Sequence, residues 1–312
     1  MGSRLGDTKV AAYDVRLTGG SSGATTFAQI GYASGGNGDG EITVNAKSAV
    51  SLTGGTKYDN AHAQIGHGGY QLVGDKGGTI TVVAGNGVTL TADQSGTGRF
   101  ASAQIGHGGR GNNAVPNNYT GTITVDGGAG SVDLVAGQAI GAQNFRNAQI
   151  GHGGAYEAWG NFSGNIDVTG ANVNLDAGAD SYNYARIGHG GWVGGKNTGT
   201  RSGNIFIGTP GEFSIEDPAG GGVAAIGHHN VDAAGTISGA NLTIEAGSMD
   251  TVFGSSGSNV FEVGSLVGDI LVTNLAAGDV SLHATGAGGL RLNSSVNMLF
   301  SAANDFTVLS EY

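Results

Sequence analysis

The chain has 312 residues, of which 63 are glycine and none cysteine, and its 13 basic and 24 acidic side chains give a net charge of -11. Without cysteine there is no disulfide staple and no thiol chemistry. Without a Lys/Arg stripe there is nothing to neutralise phosphates, which argues against nucleic acid and against an anionic membrane as partners.

No apolar run reaches the roughly 20 residues that span a bilayer, so no membrane insertion is expected. Met1-Gly2-Ser3 reads as a cloning scar, and no charged segment followed by an apolar one opens the chain, so a targeting signal is expected to be missing.

In chain order, the first element is Asp14 to Thr18, a lone strand with no clear complete coil before it, which places the start of the chain near a coil boundary. A seven-residue unit then returns. It is degenerate at Ala28-Gln29-Ile30-Gly31-Tyr32, complete as Ala-Gln-Ile-Gly-His-Gly-Gly at Ala63–Gly69, Ala103–Gly109 and Ala148–Gly154, carries Arg186 in place of Gln at Ala185–Gly191, and fades at Ala225–His228. The central isoleucines 30, 65, 105, 150, 187 and 226 lie 35, 40, 45, 37 and 39 residues apart. Repetition of this kind marks a chain of stacked units.

The units are strand and turn. Each interior glycine costs a helix up to about 1 kcal/mol, and no apolar 3.6-residue pattern is present. Two short alternating strands separate successive heptapeptides. The first is Ile42-Thr43-Val44, Ile80-Thr81-Val82, Ile123-Thr124-Val125, Ile166-Asp167-Val168, Ile205-Phe206-Ile207 and a sixth at Ile237-Ser238. The second is Val50-Ser51-Leu52, Val88-Thr89-Leu90, Val132-Asp133-Leu134, Val173-Asn174-Leu175, Phe213-Ser214-Ile215 and Leu242-Thr243-Ile244. Period-2 alternation puts Ile, Val and Leu on one face and the polar residues on the other. The heptapeptide supplies a third strand, with Ala and Ile inward and Gln outward.

Three short strands per coil of about 35–45 residues predict an all-β parallel β-helix with coils about 4.8 Å apart. A propeller of similar period would need four strands per blade. The turn between the first two strands is nearly constant in length, whereas the segments before and after the heptapeptide vary, so loops are extruded at two corners. Residues 1–246 form the loop-decorated coils. Segments at Asp269–Val272, Asp279–Leu282, Gly289–Leu292, Asn297–Phe300 and Asp305–Val308 recur about every ten residues, so 247–312 read as tighter coils of the same continuous solenoid.

The stretch Ala277 to Asn293, continuing through Ser301 to Val308, resembles the repeats of filamentous-haemagglutinin-like exoproteins, and the heptapeptides look like the glycine-rich repeats of such bacterial surface proteins. The resemblance implies a right-handed β-helix exported by two-partner secretion and used in adhesion or display. It also implies a secreted or cell-surface location, flanking β-helix coils of a longer parent chain, an outer-membrane transporter during export, and a host-surface glycan or protein as receptor.

His67, His107, His152, His189 and His228 share one repeat position and would stack as a column. Imidazole binds zinc, nickel or copper, but a straight ladder does not surround an ion and no acid recurs beside it, so a structural ladder bonded to backbone or to the next ring is the expected role and no metal is assigned. Gln29, Gln64, Gln104 and Gln149 would form an amide ladder, interrupted by Arg186. The Gly-Gly pairs supply positive φ at corners; no nucleotide motif and no cofactor is expected. Gly35–Asp39 approaches a calcium-binding repeat but occurs once, and the Thr-x-Thr pairs at Thr79–Thr81 and Thr122–Thr124 are too few for an ice-binding array.

Acid/base cleavage of a polysaccharide requires two facing carboxylates. Aligned repeats place Asp133 beside Thr89 and Asn174, and Asp167 beside Thr124 and Phe206, each a single acid. They are the candidates for a carbohydrate-active alternative, while the main expectation is no catalysis. Ligand contacts are expected from the aromatic and basic residues after the heptapeptides: Tyr70, Arg110, Tyr119, Tyr156, Trp159, Phe162 and Trp192.

Overall fold

A computed structural model describes residues 4–22, 25–33, 35–56, 59–94, 98–109, 116–138, 145–154, 159–180, 182–191, 199–217, 222–228, 235–238, 241–253 and the strands 260–265, 270–274, 280–285, 289–294, 298–301 and 306–311; for 4–5, 217, 235–238 and everything beyond Gly247 the description is of backbone alone. Every strand pairing is parallel and none of these residues is helical. The chain is a β-solenoid of stacked coils.

Three walls run the length of the stack, and a short corner row accompanies them as far as Gly235–Ser238. The first wall aligns Thr8–Ala12, Ile42–Ala46, Ile80–Ala84, Ile123–Asp126 and Ile166–Thr169, the second Val15–Thr18, Val50–Thr53, Val88–Thr91, Val132–Val135 and Val173–Asp176, and the third Ala28–Ile30, Ala63–Ile65, Ala103–Ile105, Ala148–Ile150, Tyr184–Ile187 and Val223–Ile226. Isoleucine stacks on isoleucine from coil to coil, as at Ile42, Ile80, Ile123, Ile166 and Ile205, all buried. Each fully buried Ile, Val or Leu contributes about 1.5–3 kcal/mol. The register is therefore fixed, because a one-residue slip would turn every one of them outward.

The corner row is a fourth strand position beyond the three expected. It aligns Arg4–Leu5, Gly38–Asp39, Lys76–Gly77, Tyr119–Thr120, Phe162–Ser163, Gly199–Ser202 and Gly235–Ser238 in a 7-stranded sheet. These strands are mostly two residues long, too short to show any alternation.

That row corrects the sixth coil. Gly235–Ser238 pairs with Gly199–Ser202 at the corner, so Ile237 stands opposite Arg201 and not in the first wall. Leu242–Ala246 takes the first-wall place opposite Ile205–Thr209, and Met249 to Phe253 continue along the second. The apolar Leu-x-Ile pattern fits either wall, and only the pairing tells them apart. Beyond it, Ile270–Asn274 and Met298–Ser301 follow in the first wall, Val280–Thr285 and Phe306–Glu311 in the second, and Val260–Ser265 and Gly289–Ser294 in the third.

Glutamine is the second correction. Gln64, Gln104 and Gln149 leave the core face of the third wall as alternation requires, yet they are buried.

Candidate functional site

Five imidazoles form one continuous column at the end of the third wall. Ring centroids of His67 and His107 are 4.9 Å apart, those of His107 and His152 4.9 Å, His152 and His189 4.7 Å, and His189 and His228 4.6 Å, with planes within 7° of parallel. The spacing is that of the strands themselves. In each ring Nδ1 accepts the backbone N–H of the residue one coil earlier, at 3.0–3.1 Å: Tyr32 to His67, His67 to His107, His107 to His152, His152 to His189 and His189 to His228. Nε2 lies 2.8–3.0 Å from a glycine carbonyl of the corner, Gly40, Gly78, Gly121, Gly164 and Gly203 in turn.

A backbone N–H can only donate, so Nδ1 carries no proton; a carbonyl can only accept, so Nε2 carries one. All five rings are neutral Nε2–H tautomers. Burial pushes His152 and His228 down to about 4 and holds His107 and His189 well below the ordinary imidazole range, with the neighbouring rings adding to the effect on each of these two; His67 is lowered too, by burial first. With both nitrogens engaged, no lone pair on these five rings points at a metal. Among the described residues no group of three His, Cys, Asp or Glu could hold one.

Tyr32 stands where the column begins. Its ring stacks on His67 at 4.8 Å and its hydroxyl donates to the Gly6 carbonyl at 2.7 Å, which belongs to the same row of corner glycines.

The glutamines do not form an amide-to-amide ladder. Each Nε2 donates to two carbonyls of the next coil: Gln29 to Gly66 and Gly68, Gln64 to Gly106 and Gly108, Gln104 to Gly151 and Gly153, Gln149 to Gly188 and Gly190, at 2.6–3.0 Å. One amide thus clasps the glycines on either side of a histidine. The first of those glycines is obligatory: Gly66, Gly106, Gly151 and Gly188 have φ of 153–154°, and a Cβ there would lie 1.9–2.0 Å from a carbonyl oxygen of the next coil. The second faces the corner, where a Cβ on Gly108 would come within 2.8 Å of the Tyr119 ring.

Tyr119 and Phe162, expected on ligand-binding loops, belong instead to this corner. They are buried and stack at 4.8 Å, with the Arg201 guanidinium 3.9 Å from the Phe162 centroid. Lys76 occupies the same register position below Tyr119 and donates from Nζ to the carbonyls of Gly36 and Gly74. Tyr70 and Trp159 are half-buried. Arg110, Tyr156 and Trp192 lie outside the described residues.

Asp133 and Asp167 sit on the outer faces of different walls. Asp133 Oδ1 accepts from Asn174 Nδ2 at 2.7 Å, and Asp167 lies between Thr124 and Phe206 in register, its carboxyl pushed up by burial. Asp176 and Glu216, not paired from the sequence, occupy neighbouring coils of the second wall in register; burial first, and Glu216 also, raise the Asp176 carboxyl. Carrying the second-strand alignment one residue further would have brought them together.

Two further polar devices were not anticipated. Asn37, Asp75, Asn118 and Asn161 each accept the next coil's backbone N–H at Oδ1, at 3.1, 2.7, 3.1 and 2.9 Å, an exposed ladder whose members differ too much in flanking sequence to be aligned by eye. Arg146 is buried beside Asp93, Nε to Oδ2 3.4 Å, beneath the corner between the second and third walls. Compared with protein-family models, with curated proteins and with solved structures, the chain matches none.

Proposed function

We propose that the chain is a structural segment of a secreted or surface-displayed bacterial β-solenoid, an adhesin-like stalk that extends and stiffens, with recognition left to the loops that follow the heptapeptides. One observation carries the reading: the polar groups of the repeat are spent within the stack, histidine Nδ1 on a backbone N–H of the coil before, Nε2 on a corner carbonyl, and the glutamine amide on two carbonyls of the next coil. Chemistry that could serve a substrate serves the stack. The resemblance to filamentous-haemagglutinin-like exoproteins adds export through an outer-membrane transporter, flanking coils in a longer parent chain, and a glycan or protein receptor.

A second reading, action on a polysaccharide, draws on Asp176 and Glu216, which stand in register on neighbouring coils of the second wall, since cleavage of a glycosidic bond needs two carboxyl groups. The two are separated by incubating the protein with arrays of glycans and host-surface proteins and assaying the glycans for new reducing ends. Saturable binding without turnover is expected. Turnover lost on Asp176→Asn and Glu216→Gln would replace the stalk reading with the enzymatic one.

A further inference from the structure

The outer face of the first wall is unlike at its two ends. At the N-terminal end Tyr13, 70% exposed, stands at the turn into the second wall, with Lys47 exposed beside it and Lys9 exposed four residues earlier, on the preceding strand. Several coils along the same turn lies an open groove of about 480 Å³, lined mainly by apolar atoms of Ala129, Ala171, Phe206 and Pro210, with Asp126 on its rim. Asp167 neighbours Phe206 in register. Between the two ends the outward residues are Thr43, Asn45, Thr81, Val83 and Thr124, on strands joined to the second wall by short turns.

We propose that this face docks a second copy of the chain, antiparallel, so that Tyr13 of each copy enters the groove of the other. A two-fold axis along the Ile80–Ala84 strand, in the plane of the contact, opposes the first coil to the fifth and the second to the fourth. It sets Thr81 against its own copy, Lys9 against Asp167, Lys47 against the turn after Asp126, and Tyr13 over Ala171. Asp7 and Glu41, the acids that share this end of the wall with Lys9 and Lys47, then meet the neutral Asn165 and Thr122. Tyr13 and the middle of the groove are four coils apart, about 19 Å at the strand spacing, and an isologous contact satisfies both ends at once. A basic peptide would suit Asp126 and Asp167 but leave Tyr13, Lys9 and Lys47 unmatched; a second copy matches all of them. The strip measures roughly 24 by 17 Å, about 400 Å² a side, which is small for a stable interface and sets the association at the weak, concentration-dependent end. This contact is independent of the stalk reading, since the face it uses carries none of the loops.

Sedimentation velocity from micromolar to millimolar concentration tests it, with circular dichroism to verify that each variant is folded. The wild type is expected to dimerise, Tyr13→Ser to weaken the dimer about 10-fold, and Lys9→Glu or Asp167→Lys about two- to fivefold each, more at low salt. The double variant Lys9→Glu/Asp167→Lys is expected to recover the wild-type constant. A wild type monomeric at every concentration, a dimer indifferent to Tyr13→Ser, or a double variant weaker than either single one would overturn the proposal.

Discussion

His107 donates its backbone N–H to Nδ1 of His152 at 3.1 Å while the two rings stack at 4.9 Å. The same ring is thus both a packing element and the acceptor for the neighbouring coil's main chain. Its Nε2–H reaches the Gly121 carbonyl at 2.8 Å, joining the end of the third wall to the corner. Removing one imidazole breaks an axial and a lateral bond together.

His152→Ala is expected to destabilise the protein by about 3–5 kcal/mol, combining the lost stacking volume with a backbone N–H and a carbonyl left buried without partners. The urea midpoint measures it. A cost under about 1 kcal/mol would contradict the role given to the column.

Acid should unfold the chain through these rings. Their folded pKa values lie below the 6.5 of a free imidazole, at about 4 for His152 and His228. At pH values above 6.5 neither state is protonated and stability is full; as pH falls from 6.5 towards 4 the unfolded chain binds protons that the folded chain does not, and stability drops by about 1.4 kcal/mol per pH unit for each of His152 and His228, with the other three rings adding in the same direction. Asp167 and Asp176, with raised carboxyls, act in the opposite sense at lower pH. Urea midpoints between pH 8 and 4.5 measure the slope, and a flat profile would contradict the neutral column.

Gly151→Ala should cost about 2–4 kcal/mol, since φ is 153° and the new Cβ would lie 1.9 Å from the Gly188 oxygen, a backbone atom that moves only with its coil. Thr124→Ser on the outer face is the control and should stay within about 0.5 kcal/mol.

Gln104→Leu should cost about 2–3 kcal/mol by removing the amide that clasps the Gly151 and Gly153 carbonyls. Thermal unfolding compared with Gln104→Glu, which lacks the amide donors at similar size, separates the bonds from the packing.

Strands with alternating apolar residues were legible because alternation survives in single sequences: Ile80, Val82, Val88 and Leu90 point inward as their pattern requires. The corner row was not, since two residues such as Lys76 and Gly77 carry no period. Leu242 was assigned to the wrong wall because the two walls share one apolar signature, and only the long-range pairing with Ile205 distinguishes them. The histidine column was legible as a column from its spacing. That Nδ1 takes a backbone proton and Nε2 gives one depends on where the coil corner places Gly121, which no spacing encodes. Tyr119 and Phe162 read as loop residues because the segments around them vary in length; their burial follows from the glycines at 108 and 153, whose missing side chains make room for the rings.

Nitrogen-15 NMR of the histidine side chains at pH 7.5 tests the structural column most directly. Five rings in the neutral Nε2–H tautomer, with Nδ1 shifts of a hydrogen-bond acceptor and no change on adding zinc or nickel, are the predicted result. Imidazolium signals, Nδ1–H tautomers or metal-shifted nitrogens among His67, His107, His152, His189 and His228 would contradict it.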